Sequence, residues 1–116
     1  MSAADPDCLF CKIVAGEIPG DTVRETDRVL AFRDVNPQAP THVLVVPKAH
    51  HENAAASAAA DPDGFAELFT VAAAVARDEG LPGHRAVFNT GAAVGQTVFH
   101  THLHVIGGRD LAWPPG

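Results

Sequence analysis

No stretch of this chain approaches the ~20 consecutive apolar residues needed to cross a bilayer. Nor is there a run of Lys or Arg, and the formal net charge is −6. Duplex nucleic acid and anionic membranes both reward a basic stripe, so neither is an expected partner. A small phosphate ligand stays open, because backbone N–H groups and imidazoles can hold one. Cysteine is scarce: Cys8 and Cys11 are the only two. That count excludes a disulfide framework and leaves a pair that is metal-binding, redox-active or incidental. The opening Met1-Ser2-Ala3-Ala4-Asp5-Pro6-Asp7 lacks the basic and apolar regions of a signal peptide, which makes a cytoplasmic location the expectation. No internal repeat or second domain is visible. At 116 residues and 47% hydrophobic, the chain suits one globular domain, expected over 8–116 after a flexible segment at 1–7.

Proline and glycine punctuate what is present. Asp7 can cap a short helix through Leu9–Val14, with Gly16 as its stop. Val23–Thr26 and Arg28–Val35 read as a hairpin turning near Asp27. Asn36-Pro37-Gln38-Ala39-Pro40 is a rigid loop, since its two prolines fix φ. The β-branched run His42–Val46, stopped by Pro47, reads as a buried strand. Asp61-Pro62 opens a long helix whose stripe of Phe65, Leu68, Phe69, Ala72, Val75 and Ala76 is assigned to the core, and Gly80 ends it. Arg85–Asn89 is a further strand. These elements predict an α+β domain with an antiparallel sheet of about five strands and two helices.

The chemistry concentrates near the C-terminus. In Val98-Phe99-His100-Thr101-His102-Leu103-His104-Val105-Ile106 the histidines recur at the strand period. One face of an extended chain then carries three imidazoles, while Phe99, Leu103 and Val105 turn to the other and can be buried. At a rise of ~3.4 Å per residue, His102 has a histidine about 7 Å to either side. Neutral imidazole is a competent nucleophile toward phosphorus, and the middle ring could attack while its neighbours manage oxygens and protons. His-x-His on a strand can equally grip zinc, and these five residues alone do not choose. The preceding Asn89-Thr90-Gly91-Ala92-Ala93-Val94-Gly95-Gln96-Thr97 favours an anionic ligand. Its glycines permit close backbone approach, its N–H groups can bind oxygens, and Asn89 and Thr97 add side-chain donors. It lacks the Gly-Lys-[Ser/Thr] ending of a P-loop.

His100-Thr101-His102-Leu103-His104-Val105-Ile106 resembles the signature of the histidine-triad family, with Thr101 at a normally apolar position. Gly107-Gly108-Arg109, Trp113-Pro114-Pro115-Gly116 and Pro37-Gln38-Ala39-Pro40-Thr41-His42 look like its Hint branch, and the similarity runs from about Cys8 to Gly116. The resemblance implies a homodimer that hydrolyses purine nucleoside 5′-phosphoramidates. By position, His102 would be the nucleophile, His104 would hold phosphate and assist proton movement, and His42 would support the triad. Gly95, Gln96 and Thr97 match the phosphate loop, Asn89 a ribose or phosphate anchor, and Asp34 the acceptor of ribose hydroxyls. Thr97 replaces the serine usual in the branch. Trp113, in the tail, would influence substrate choice from beside the partner's pocket. Zinc-bearing members resemble this chain at Cys8, Cys11, His50 and His100, with His51 as an alternative to His50. That implies a structural Zn²⁺ with no part in the chemistry. His84 reads as a surface residue.

Overall fold

A computed structural model describes residues 4–116. Among them are strands β1 (Thr22–Glu25), β2 (Val29–Arg33), β3 (Thr41–Pro47), β4 (His84–Val87) and β5 (Leu103–Gly107), and helices α1 (Leu9–Val14), α2 (Ala54–Ala60) and α3 (Pro62–Asp78). The strands form one antiparallel sheet in the order β1-β2-β3-β5-β4. The hairpin turns across Thr26–Arg28, where the Thr26 N–H reaches the Val29 carbonyl at 2.8 Å.

Strand alternation decides what each face of the sheet meets. Val29, Ala31, Val43, Val45, Leu103 and Val105 pack on Leu68, Val71, Ala72 and Val75 of α3. The residues between them, Leu30, Phe32, Leu44 and Val46, meet Cys8, Phe10 and Cys11 on and beside α1. With Leu103 and Val105 committed to the α3 face, His104 falls on the α1 face. All of β3 is buried, as its composition requires.

The structure departs from the sequence reading in several places. Three helices are present where two were expected. The run Ala54–Ala60 has no apolar period, yet alanine's helix propensity and the Asn53 side chain, which accepts the Ala56 N–H at 2.9 Å, suffice. The cap of α1 is Cys8, whose sulfur accepts the Cys11 N–H at 3.3 Å, and not Asp7. Of the expected flexible segment, residues 1–3 lie outside the described residues; Asp5 and Asp7 take part in a turn closed by the Cys8 N–H on the Asp5 carbonyl. Phe69 is 46% exposed, because the stripe that meets the sheet runs through Leu68, Val71, Ala72 and Val75; Phe69 instead joins Phe65 and Phe88 in an aromatic group. Phe99 is also exposed, and regular strand pairing begins only at Leu103. Just before it, the Thr101 N–H and hydroxyl both bond the His51 carbonyl. Among the described residues no helix is long and apolar enough to cross a membrane.

Candidate active site and metal centre

Beneath α1, on the sheet face opposite α3, lies a cleft of about 670 Å³. Phe10, Ile13, Ile18, Phe32, Val35 and Leu44 give it an apolar wall, and Asp34, Gly95, Thr97, His102 and His104 supply the polar groups. Its size and composition suit a small organic ligand with a few polar anchors.

Proton positions follow from the hydrogen bonds. The Gln38 N–H donates to His42 Nδ1 at 3.0 Å, so that nitrogen is unprotonated and neutral His42 carries its proton on Nε2. His42 Nε2 lies 2.9 Å from His104 Nδ1 and 3.4 Å from an Asp34 carboxylate oxygen. His104 Nδ1 must then accept, which places the His104 proton on Nε2. That atom is buried without a hydrogen-bond partner among the described residues. A buried N–H left open beside a cleft is a donor awaiting an acceptor. His102 has the opposite tautomer: Nδ1–H donates to the His100 carbonyl at 2.7 Å, leaving the Nε2 lone pair free. The His102 and His104 rings are 4.9 Å apart, closer than the ~7 Å of an ideal strand, and regular strand pairing begins only after His102.

Burial pushes the His102 pKa down, against its bond to the His100 carbonyl and the nearby Asp34 charge. Burial, then the neighbouring His102 and His42, lowers His104 to about 4. Both rings are therefore neutral near pH 7, as a nucleophile and a neutral donor require.

The expected ligand residues divide sharply. His42 is joined to the cleft through His104, and Arg109 buttresses it at one remove, donating to the Gln38 carbonyl at 3.0 and 3.2 Å. Asp34 lines the cleft, one oxygen accepting the Asn36 N–H at 2.9 Å. Gly91 and Gly95 have φ of +101° and +96°, conformations that favour glycine. The loop is held differently from expectation, because the Gly95 and Gln96 N–H groups bond the Ala92 and Gly91 carbonyls. Gln96 is buried, and its amide accepts from the Gly91 N–H while donating to the Glu52 and Val98 carbonyls. It braces the loop, and Gly95, Thr97 and Val98 form the cleft side. Asn89 and Trp113 do not line the cleft of this chain, and Trp113 is 82% exposed. The sequence reading missed the apolar wall, whose residues come from separate elements and share no local signal.

Cys8, Cys11, His50 and His100 meet in a second cluster, their ligand atoms all within 4.8 Å of one another. His100 Nε2–H donates to the Pro47 carbonyl at 2.8 Å, which turns an unprotonated Nδ1 toward the sulfurs. The His50 and His100 Nδ1 atoms are 3.2 Å apart, and nitrogen–sulfur separations are 3.4, 3.4 and 3.5 Å. A tetrahedral zinc with Zn–N of ~2.0–2.1 Å and Zn–S of ~2.3 Å has edges of roughly 3.3–3.8 Å. The cluster fits such an ion. The Cys11 N–H points at Cys8 Sγ and the Asp5 N–H at Cys11 Sγ, and burial pushes the Cys11 thiol up against the bond from Asp5. His51 is buried outside this cluster, so of the two adjacent histidines His50 is the one brought to the sulfurs, and His84 is on the surface as expected. Asp34, His42 and His104 also lie close together. There the 2.9 Å nitrogen–nitrogen separation is occupied by a proton, and the Gln38 N–H on His42 Nδ1 opposes the tautomer a metal would need.

The family model described as the HIT domain matches residues 15–111. A 14 kDa zinc-binding protein of Zea mays is 44% identical over 115 residues, covering 97% of this chain and 90% of its own length. Adenylylsulfatase HINT1 of Arabidopsis thaliana is 44% identical over 116 residues, covering 97% of this chain and 79% of its own. A solved HIT family hydrolase from Legionella pneumophila superposes with a TM-score of 0.90 at 47% identity, covering 95% of this chain and 100% of that one. Sheet, paired histidines and cysteine–histidine cluster thus coincide with a match across most of the sequence, and the chain belongs to the HIT family, among its Hint-like members.

Proposed function

We propose that this protein cleaves the P–N bond of purine nucleoside 5′-phosphoramidates through a nucleotidyl intermediate on His102. The observation that carries the reading is the 2.7 Å bond from His102 Nδ1 to the His100 carbonyl, which leaves a neutral Nε2 lone pair in the cleft. The purine lies against Ile13, Ile18, Phe32 and Val35, and Asp34 accepts from the ribose hydroxyls.

In the first step His102 Nε2 bonds the α-phosphorus and the P–N bond breaks, its electron pair staying on the departing nitrogen. That nitrogen collects a proton, for which the cleft donors are the Thr97 hydroxyl and His104 Nε2–H. His104 also holds a phosphoryl oxygen as charge builds, with His42 fixing its ring. Water then attacks phosphorus and passes a proton to the group that protonated the amine, the P–Nε2 bond breaks with its electron pair returning to Nε2, and the nucleoside monophosphate leaves with neutral His102 restored. Cys8, Cys11, His50 and His100 would hold a structural Zn²⁺, which would supply a cross-link between α1 and the sheet.

The name of the Arabidopsis relative supports a second substrate, adenylyl sulfate, in which sulfate replaces the amine as leaving group on the same phosphorus. A panel of adenosine and guanosine phosphoramidates, adenylyl sulfate and dinucleoside polyphosphates separates these readings. Highest kcat/KM on a phosphoramidate is expected. Preference for a dinucleoside polyphosphate, or binding of all without turnover, would replace the proposal with a polyphosphate hydrolase or a nucleotide-binding scaffold.

A further inference from the structure

We propose that the cysteine–histidine centre does more than tie α1 to the sheet: it aims the nucleophile, with His100 as the positioning residue for His102. This rests on His102 being the attacking group. His100 is fully buried and engaged on three sides. Its Nε2–H is bonded to the Pro47 carbonyl at 2.8 Å, and its Nδ1 lies 3.4 Å from Cys8 Sγ, 3.5 Å from Cys11 Sγ and 3.2 Å from His50 Nδ1. Its own carbonyl accepts the His102 Nδ1–H at 2.7 Å, the bond that selects the attacking tautomer. Ring and carbonyl belong to one residue, so whatever fixes the His100 ring also fixes the acceptor that orients His102.

Two further ties run from the same centre to the same ring. Phe10 stands in sequence between Cys8 and Cys11, and its ring packs edge-on against His102 at 4.9 Å and His100 at 5.9 Å. The cysteines that hold α1 thereby hold the wall behind the nucleophile. On the other side, the Thr101 N–H and hydroxyl reach the His51 carbonyl at 2.7 and 3.0 Å, locking the residue between His100 and His102 to the neighbour of His50. A hydroxyl buried at a position where an apolar side chain would pack is tolerated because it is bonded, and here its acceptor adjoins a ligand of the centre.

The test compares zinc-loaded full-length protein with the same protein stripped by a chelator, at a temperature where circular dichroism shows both folded. Long-range ¹H–¹⁵N correlation of the imidazoles reads the His102 tautomer independently of any substrate. With zinc, His102 should show a single Nδ1–H form. Stripped, it should populate both tautomers, kcat should fall about tenfold or more with KM within about twofold, and zinc should restore both. A folded, stripped protein that keeps the Nδ1–H form and its kcat overturns the proposal, as does a rise in KM with kcat untouched. If the stripped protein unfolds, Thr101→Val decides, since it keeps all four ligands and removes only the hydroxyl tie. It should lower kcat about 2- to 10-fold, the worth of one hydrogen bond, and broaden the His102 tautomer signal, with Thr101→Ser restoring both. Parent-like kcat and tautomer in Thr101→Val would refute the coupling.

Discussion

Three chemically identical side chains at two-residue spacing end in two tautomers and three different settings, each set by the neighbour that takes one ring nitrogen. His100 gives its Nε2–H to a strand-end carbonyl and turns Nδ1 to the sulfurs; His102 gives its Nδ1–H to a carbonyl and keeps Nε2 bare; His104 receives at Nδ1 and keeps an N–H. The motif made the residues legible. The resemblance assigned their roles, but their proton assignments were not legible, because these depend on Pro47, Gln38 and His42, distant in sequence. Burial has a measurable consequence at His104. An unfolded imidazole takes up a proton near the ordinary 6.5, whereas folded His104 resists until about 4. Between these values the unfolded state binds more protons, so this contribution to stability is full above the upper value and is lost as pH falls toward the lower. Melting temperature should therefore drop as pH falls through that window. His104→Gln should flatten the drop; an unchanged pH profile in that variant would contradict the assignment.

Elements with a strong period were readable, and those without were not. The hairpin, the buried strand β3 and the Asp61-Pro62 start of α3 all follow from local pattern. Helix α2 is nearly pure alanine and offers no amphipathic stripe, although the Asn53 cap before an alanine run is a usable signal. Phe69 and Phe99 were misplaced for a related reason: periodicity gives a direction around a helix or strand, not what stands there. Asp61 caps α3 through a 3.1 Å bond to the Gly64 N–H, so Asp61→Ala should cost about 1 kcal/mol in denaturant unfolding. Helix α1 is six residues long, too short to persist alone, and it is held to the sheet by Phe10 packed against Phe32 and by the cysteine–histidine cluster. Cys8→Ser should lower both melting temperature and bound zinc while measurable turnover remains. Zinc-free wild type by elemental analysis, with no loss of stability on chelation, would dismiss the metal.

At the scale of the whole molecule, β4 pairs only with β5 among the described residues and leaves a sheet edge uncovered there, with Phe69 exposed in the aromatic group it shares with Phe65 and Phe88. Two copies joined about a twofold axis would cover such a surface, and we expect a homodimer. Light scattering at micromolar concentration should give twice the 12.1 kDa chain mass. A monomer with full activity would remove both the dimer and any role for Trp113 in a partner's cleft. The division of the sheet into an α3 face and an α1 face was implicit in the alternation of β2, β3 and β5. That the α1 face holds both cleft and metal centre became visible only once the chain was folded, since Phe10, Phe32 and His102 reach it from three separate elements.

The most direct test of the central claim is mass spectrometry of a rapidly quenched reaction with adenosine 5′-phosphoramidate. A nucleoside monophosphate adduct is expected on the peptide bearing His102, and His102→Ala should lack it, losing several orders of magnitude in turnover while still binding nucleotide. Near-normal turnover in His102→Ala, or an adduct confined to His104 or His42, would contradict the account.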